Sequence, residues 1–135
     1  MNRKETRELA YTLVFQELFN PGEDCTKDLM YEVTAELNDN DKMYIDKMVV
    51  VIREHAEELK EYISKFVTHF ELDRLFKADL AVLLLAVAEM KYFDDIPVGV
   101  SIDEAVELSK KYSVENGYKF VNGVLGAISR DMKEN

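Results

Sequence analysis

A chain of 135 residues, 47% of them hydrophobic, carries enough apolar material for one folded unit with a sizeable core, which excludes an intrinsically disordered polymer. Its formal net charge of −10 excludes adhesion to nucleic acid through a general positive field, so any such contact must be local. A single cysteine, Cys25, excludes an intramolecular disulfide and points to a reducing, cytoplasmic setting.

Two prolines and five glycines are the only strong breakers, and the apolar positions between them recur at three and four, so the expected class is all-α. The start, Met1 to Glu8, is charged and lacks the apolar stretch of a secretory signal. A first helix is predicted from about Asn2 to Phe19, with Ala10, Val14 and Leu18 on one stripe, Tyr11 and Phe15 beside it, and Asn20-Pro21-Gly22 as its stop. Residues 1–16 are slightly basic against the general acidity. A second, shorter helix is predicted from about Thr26 to Leu37.

The third runs from Asp41 to about Val67 with Ile45, Met48, Val49, Ile52, Ala56, Leu59, Ile63, Phe66 and Val67 at helical spacing. Beyond Glu71 a short element, Leu72 to Leu75, leads into an apolar helix from Lys77 to Phe93 that ends at Asp94-Asp95 and Pro97. Its longest apolar run, Leu80 to Ala88, is far shorter than the ~18 residues a membrane span needs, so it belongs in a core. Ser101-Ile102-Asp103-Glu104 reads as a capping box opening a helix to Tyr112. The last helix begins near Asn116 and carries Phe120, Val121, Val124, Leu125, Ile128 and Met132. Gly123 and Gly126 weaken a helix unless a neighbouring backbone approaches them, so tight packing is expected there. The only candidate boundary between subdomains, about 1–70 and 71–135, is too short for a flexible linker.

Catalytic signatures are missing. There is no glycine-rich phosphate loop and no H-E-x-x-H. His55 and His69 are too far apart along one helix to share a metal. Glu54, Glu57, Glu58 and Glu61 alternate with Arg53 and Lys60, the pattern of a solvated ion-pair face. No nucleophile, base and orienting group assemble, so neither an enzyme nor a cofactor or metal site is expected.

The run Lys119-Phe120-Val121-Asn122-Gly123-Val124-Leu125, preceded by Ile102-Asp103-Glu104-Ala105-Val106-Glu107-Leu108-Ser109-Lys110, resembles the signature of the NusB family. Arg74-Leu75 and Ala88-Glu89-Met90 resemble its middle block, and Arg7-Glu8-Leu9-Ala10 its amino-terminal helix. The resemblance spans nearly the whole chain and is tightest between residues 73 and 126. It implies about seven helices in two three-helix-type bundles side by side, forming a single RNA-binding domain. It further implies binding to boxA-type RNA of ribosomal RNA leader transcripts together with ribosomal protein NusE, in a larger complex with NusA, NusG and RNA polymerase that resists premature termination.

Carried over residue by residue, the resemblance places Arg3, Lys4 and Arg7 against RNA phosphates, with Asn116, Lys119 and Phe120 lining the adjoining surface. It places Phe15, Asp73 and Asp79 on the face for the protein partner. Ordinary readings stand beside these: surface charge for the cations, core packing for Phe15 and Phe120, and stabilisation of a helix dipole for Asp79. Asn122 would be structural by hydrogen bonding and Gly123 by close packing. The chain departs from the family pattern at Leu84, where an arginine is frequent, and at Glu5 among the basic residues. The competing functions are a helical protein-binding scaffold and an accessory domain related to ribosomal RNA methyltransferases, both without autonomous RNA binding.

Overall fold

The computed structural model describes residues 2–19, 37–67 and 75–134. They form five helices, with no strand among the described residues: α1 (Arg3–Phe19), α2 (Asp39–Ser64), α3 (Lys77–Tyr92), α4 (Val98–Tyr112) and α5 (Gly117–Glu134). The expected helix at 26–37 and the short element at 72–75 fall wholly or mainly outside the described residues, as do Asp73 and His69.

α3 is the centre because it is apolar on every side. All residues from Asp79 to Glu89 are buried, and the helix packs against α1, α2, α4 and α5. One continuous core therefore joins the two expected subdomains, with α1 and α2 packed on α3 in one half and α4 and α5 in the other. Leu84, the expected departure in the central helix, lies in this core at 1% exposure.

α2, with 26 residues, is about 39 Å long at 1.5 Å per residue. Its buried face holds Ile45, Met48, Ile52, Leu59 and Ile63 as read from the sequence, and also Tyr44 and Val51, with Val49, Ala56 and Phe66 at its margin. A capping box opens it. The Asn38 side chain accepts from the Asp41 amide at 2.8 Å, and Asp41 Oδ2 accepts from the Asn38 amide at 3.2 Å. Asp41 also accepts from Thr6 Oγ1 at 3.0 Å, pinning α1 to this end of α2.

The capping box expected at Ser101–Glu104 is not one. Helix α4 starts a turn earlier, at Val98 after Pro97, whose carbonyl already accepts the amides of Val100 and Ser101. Ser101 is thereby carried inside the helix and buried, and its hydroxyl donates to Glu89 Oε1 at 2.9 Å.

That bond belongs to the one charged cluster in the described core. Glu89, 1% exposed, accepts from Arg7 Nε at 2.9 Å and Arg7 Nη2 at 3.1 Å, from Tyr44 Oη at 2.5 Å and from Ser101. One carboxylate thus ties α1, α2 and α4 to α3. Burial alone would lower the Arg7 pKa, but the hydrogen bond and charge of Glu89 outweigh it and hold the guanidinium above its ordinary value. Burial first, and Glu89 second, push the Tyr44 phenol well above its usual range, so Tyr44 stays a donor.

Two stability measurements test this frame. Leu59, fully buried, should cost about 2–5 kcal/mol when replaced by Ala in urea unfolding, and a loss below about 0.5 kcal/mol would contradict its place in the core. Glu89→Ala and Arg7→Ala should each cost about 3–5 kcal/mol, because each leaves the other charge buried without its opposite charge. The double variant should lose less than the two single losses combined; full additivity would show that the two groups act independently.

Candidate nucleic-acid interface

The sequence-expected cations separate into two classes once folded. Arg3 and Lys4 lie exposed on the first turn of α1, with the Arg3 guanidinium 4.8 Å above the Tyr44 ring. Arg7 does not join them. At 5% exposure it is buried rather than exposed, with Nε and Nη2 both donating to Glu89. The reason is helical phase: Arg7 falls on the same side of α1 as Ala10 and Val14, which face the core.

At the other end of the chain, Asn116 and Lys119 are exposed, and Phe120 is half-buried against the core. Asn116 takes φ 68°, a left-handed conformation that asparagine tolerates better than most residues. Its carbonyl accepts the Lys119 amide at 3.1 Å, so the turn sets where Lys119 begins the exposed face of α5. An Asn-Gly dipeptide, Asn116-Gly117, is the pattern that could have marked this turn in the sequence.

Beneath the turn sits Asp79. Expected on a protein-docking face, it is buried at 5% exposure, and its Oδ1 accepts from Ser113 Oγ at 2.5 Å. A Cβ on Gly117 would stand 2.9 Å from Ser113 Oγ and 3.3 Å from Asp79 Oδ1. Only glycine lets α5 start this close without displacing the Ser113–Asp79 bond. Asp79 is therefore a positioning residue for the turn that presents Asn116 and Lys119, a correction of its expected exposure. Ser113 and Gly117 were not picked out from the sequence, because what makes them matter is a partner on another helix.

The glycines expected in tight packing are not so. A Cβ on Gly123 would meet nothing within 4 Å, and on Gly126 only the Arg130 guanidinium at 3.6 Å. Asn122 is likewise exposed rather than engaged in the core. Together with Lys119, these residues leave one side of α5 uncovered.

Phe15 is half-buried, its ring 6.1 Å from Tyr11 and 4.6 Å from the exposed Phe19. Tyr11 stacks on Tyr112 at 4.9 Å, linking α1 to the end of α4. The acidic face of α2 is an exposed ion-pair surface as read: Lys60 is 3.6 Å from Glu57, and His55 Nδ1 is 3.1 Å from Glu58 while its ring stacks on Tyr92. No group of three metal-ligating side chains stands together among the described residues, and none of their helices is long and apolar enough to cross a membrane.

The Asp79 node yields a pH test. Burial raises its pKa above the ordinary carboxyl value, and the Ser113 hydrogen bond only partly opposes that. The folded state therefore holds the proton to higher pH than the unfolded state, so the group costs stability as pH rises from the ordinary carboxyl range through the raised pKa. Asp79→Asn keeps an acceptor for Ser113 without the charge. It should be as stable as the wild type or more so at neutral pH, with the difference vanishing in acid, whereas Asp79→Ala should lose about 1–3 kcal/mol by orphaning the Ser113 hydroxyl. Urea midpoints across pH measure both; an Asn variant less stable than wild type at neutral pH would show that the charge itself is needed.

In sequence, the profile of the NusB family matches residues 4–130. The transcription antitermination protein NusB of Natranaerobius thermophilus is 39% identical over 137 residues, covering 99% of each chain. That of Clostridium botulinum (strain Kyoto / Type A2) is 39% identical over 141 residues, covering 93% of this chain and 98% of its own. In structure, the fold is similar to T. maritima NusB with a TM-score of 0.88 at 32% identity, over 96% of this chain and 92% of that one. It is also similar to a chain in a crystal structure of the antitermination factors NusB and NusE with double-stranded RNA, with a TM-score of 0.80, 32% identity and 96% coverage of both. Matched along its length in residues and in backbone alike, the chain belongs to the NusB family, whose named relatives here are transcription antitermination proteins.

Proposed function

We propose that this chain acts in the cytoplasm by binding boxA-type RNA of ribosomal RNA operon transcripts together with ribosomal protein NusE, and that with NusA and NusG it couples that RNA to elongating RNA polymerase. The reading includes the seven-helix, two-bundle frame as a single RNA-binding domain. The observation that carries it is the likeness, over 96% of both chains, to a protein crystallised with NusE and RNA. The surface agrees chemically: on a chain of net charge −10, Arg3 and Lys4 are exposed on the first turn of α1 and Lys119 on the first turn of α5, local cations that can meet a strand. No bond is made or broken. Binding raises the effective concentration of RNA near the polymerase.

The same charge makes a basic partner useful. A field of net −10 repels RNA at long range, and a docked basic ribosomal protein would offset it and add phosphate contacts of its own. Phe15, half-buried beside the exposed Phe19, is the anchor we assign to that partner. The scaffold alternative, without RNA binding, draws support from the burial of Arg7, which removes one of the four cations expected to touch RNA.

The test is affinity for boxA-type RNA with and without NusE, at two salt concentrations. Three cation contacts on a single strand should give a logarithmic salt slope of about −2, since each contributes about −0.7. NusE and RNA should each raise the other's affinity by the same factor, and Phe15→Ala should weaken NusE binding. NusE binding with no measurable RNA affinity in either condition would favour the scaffold.

A further inference from the structure

Resting on the RNA-binding reading above, we propose that Lys110 and Lys111 at the end of α4 are phosphate-binding residues that join the two separated parts of the RNA surface into one track. α1 carries Arg3 and Lys4, α5 carries Lys119, and the end of α4 makes side-chain contacts with both. Lys111 Nζ lies 2.9 and 3.0 Å from the two carboxylate oxygens of Glu8 on α1. Lys110 Nζ lies 5.0 Å from the centre of the Tyr118 ring on α5, the residue beside Lys119. A cleft of about 220 Å³ runs between α1 and α4, with Lys4, Arg7, Glu8, Glu104, Lys110 and Lys111 among its lining residues. The lysine side chains are half-exposed, at 49% and 56%, where Arg7 in the same cleft is closed off by Glu89.

The chain thus withdraws one cation from the site and sets two others beside the gap. In the free protein both are paired with carboxylates, Lys111 with Glu8 and Lys110 with Glu107 at 3.5 Å. Exposed pairs of this kind give little net stability and are screened by salt, so a phosphate can take the place of the carboxylate. The ligand is the backbone of an unpaired RNA strand: lysine acts here as a point charge on a flexible stem that follows phosphates without reading bases.

The experiment measures the salt dependence of boxA-type RNA binding, with NusE present, for the full chain and its Lys110→Gln, Lys111→Gln, Lys119→Gln and Lys60→Gln variants. Loss of Lys110, Lys111 or Lys119 should each flatten the logarithmic slope by about 0.7, and Lys60, on the remote face of α2, should leave it unchanged. Glu8→Gln supplies a readout of opposite sign. If Lys111 binds phosphate, freeing it should tighten RNA binding, whereas a purely structural Lys111–Glu8 pair would make both variants bind worse. Flattening by Lys119→Gln alone, with wild-type slopes for both α4 variants, would overturn the bridge and leave the RNA-binding reading standing. Wild-type slopes for all three, or no RNA binding by the wild-type chain with NusE, would overturn the RNA surface as a whole. Unchanged melting temperatures confirm that these surface variants are folded.

Discussion

The carboxylate of Glu89 is the interaction on which the arrangement of helices depends. A buried charge is expensive unless its lone pairs are satisfied, and this one accepts four hydrogen bonds from three other helices. An apolar core alone fixes how much surface is buried but tolerates rotations of one helix against another. The fork of Arg7, the phenol of Tyr44 and the hydroxyl of Ser101 meet one carboxylate only at one set of helix rotations, so the cluster selects the packing that the apolar faces permit. It also explains why α4 begins at Val98: a start at Ser101 would spend that hydroxyl on its own helix end rather than on Glu89.

The cost of that arrangement falls on the surface. With Arg7 used inside, the positive charge of the amino-terminal helix that remains outside is confined to its first turn, and the turn at Ser113–Gly117 has to be held in place to present the second group of cations. Asp79 does this from below at the start of α3. The central helix thus has a carboxylate near each end, one joining α1, α2 and α4, the other holding the junction of α4 and α5. Core and surface are coupled through this one helix.

Electrostatics then divides the labour. The overall field is unfavourable to RNA, and the exposed Arg3, Lys4 and Lys119 make it favourable only within about a Debye length of themselves, roughly 8 Å at physiological salt. Such a surface would position a strand without capturing it from a distance, which agrees with the RNA-binding reading proposed above. Selectivity for the assembled complex follows from weakness of the separate parts.

Much of this was legible in the sequence. The five described helices, the inward face of α2 from Ile45 to Ile63, the buried character of Leu80–Ala88 and the family itself were readable, because apolar period and local motif are properties of neighbouring residues. The carboxylate Glu89 within a largely apolar helix and the Asn116-Gly117 pair are visible in the sequence, but their partners are not. That Arg7 bonds Glu89 and Asp79 bonds Ser113 within the fold, whether Ser101 caps or buries, and whether Gly123 is packed or Gly117 is, were decided only by tertiary structure. Each depends on a group 12 to 82 residues away in sequence or on the absence of one, and helical period specifies which side of a helix a residue occupies without specifying what stands opposite it.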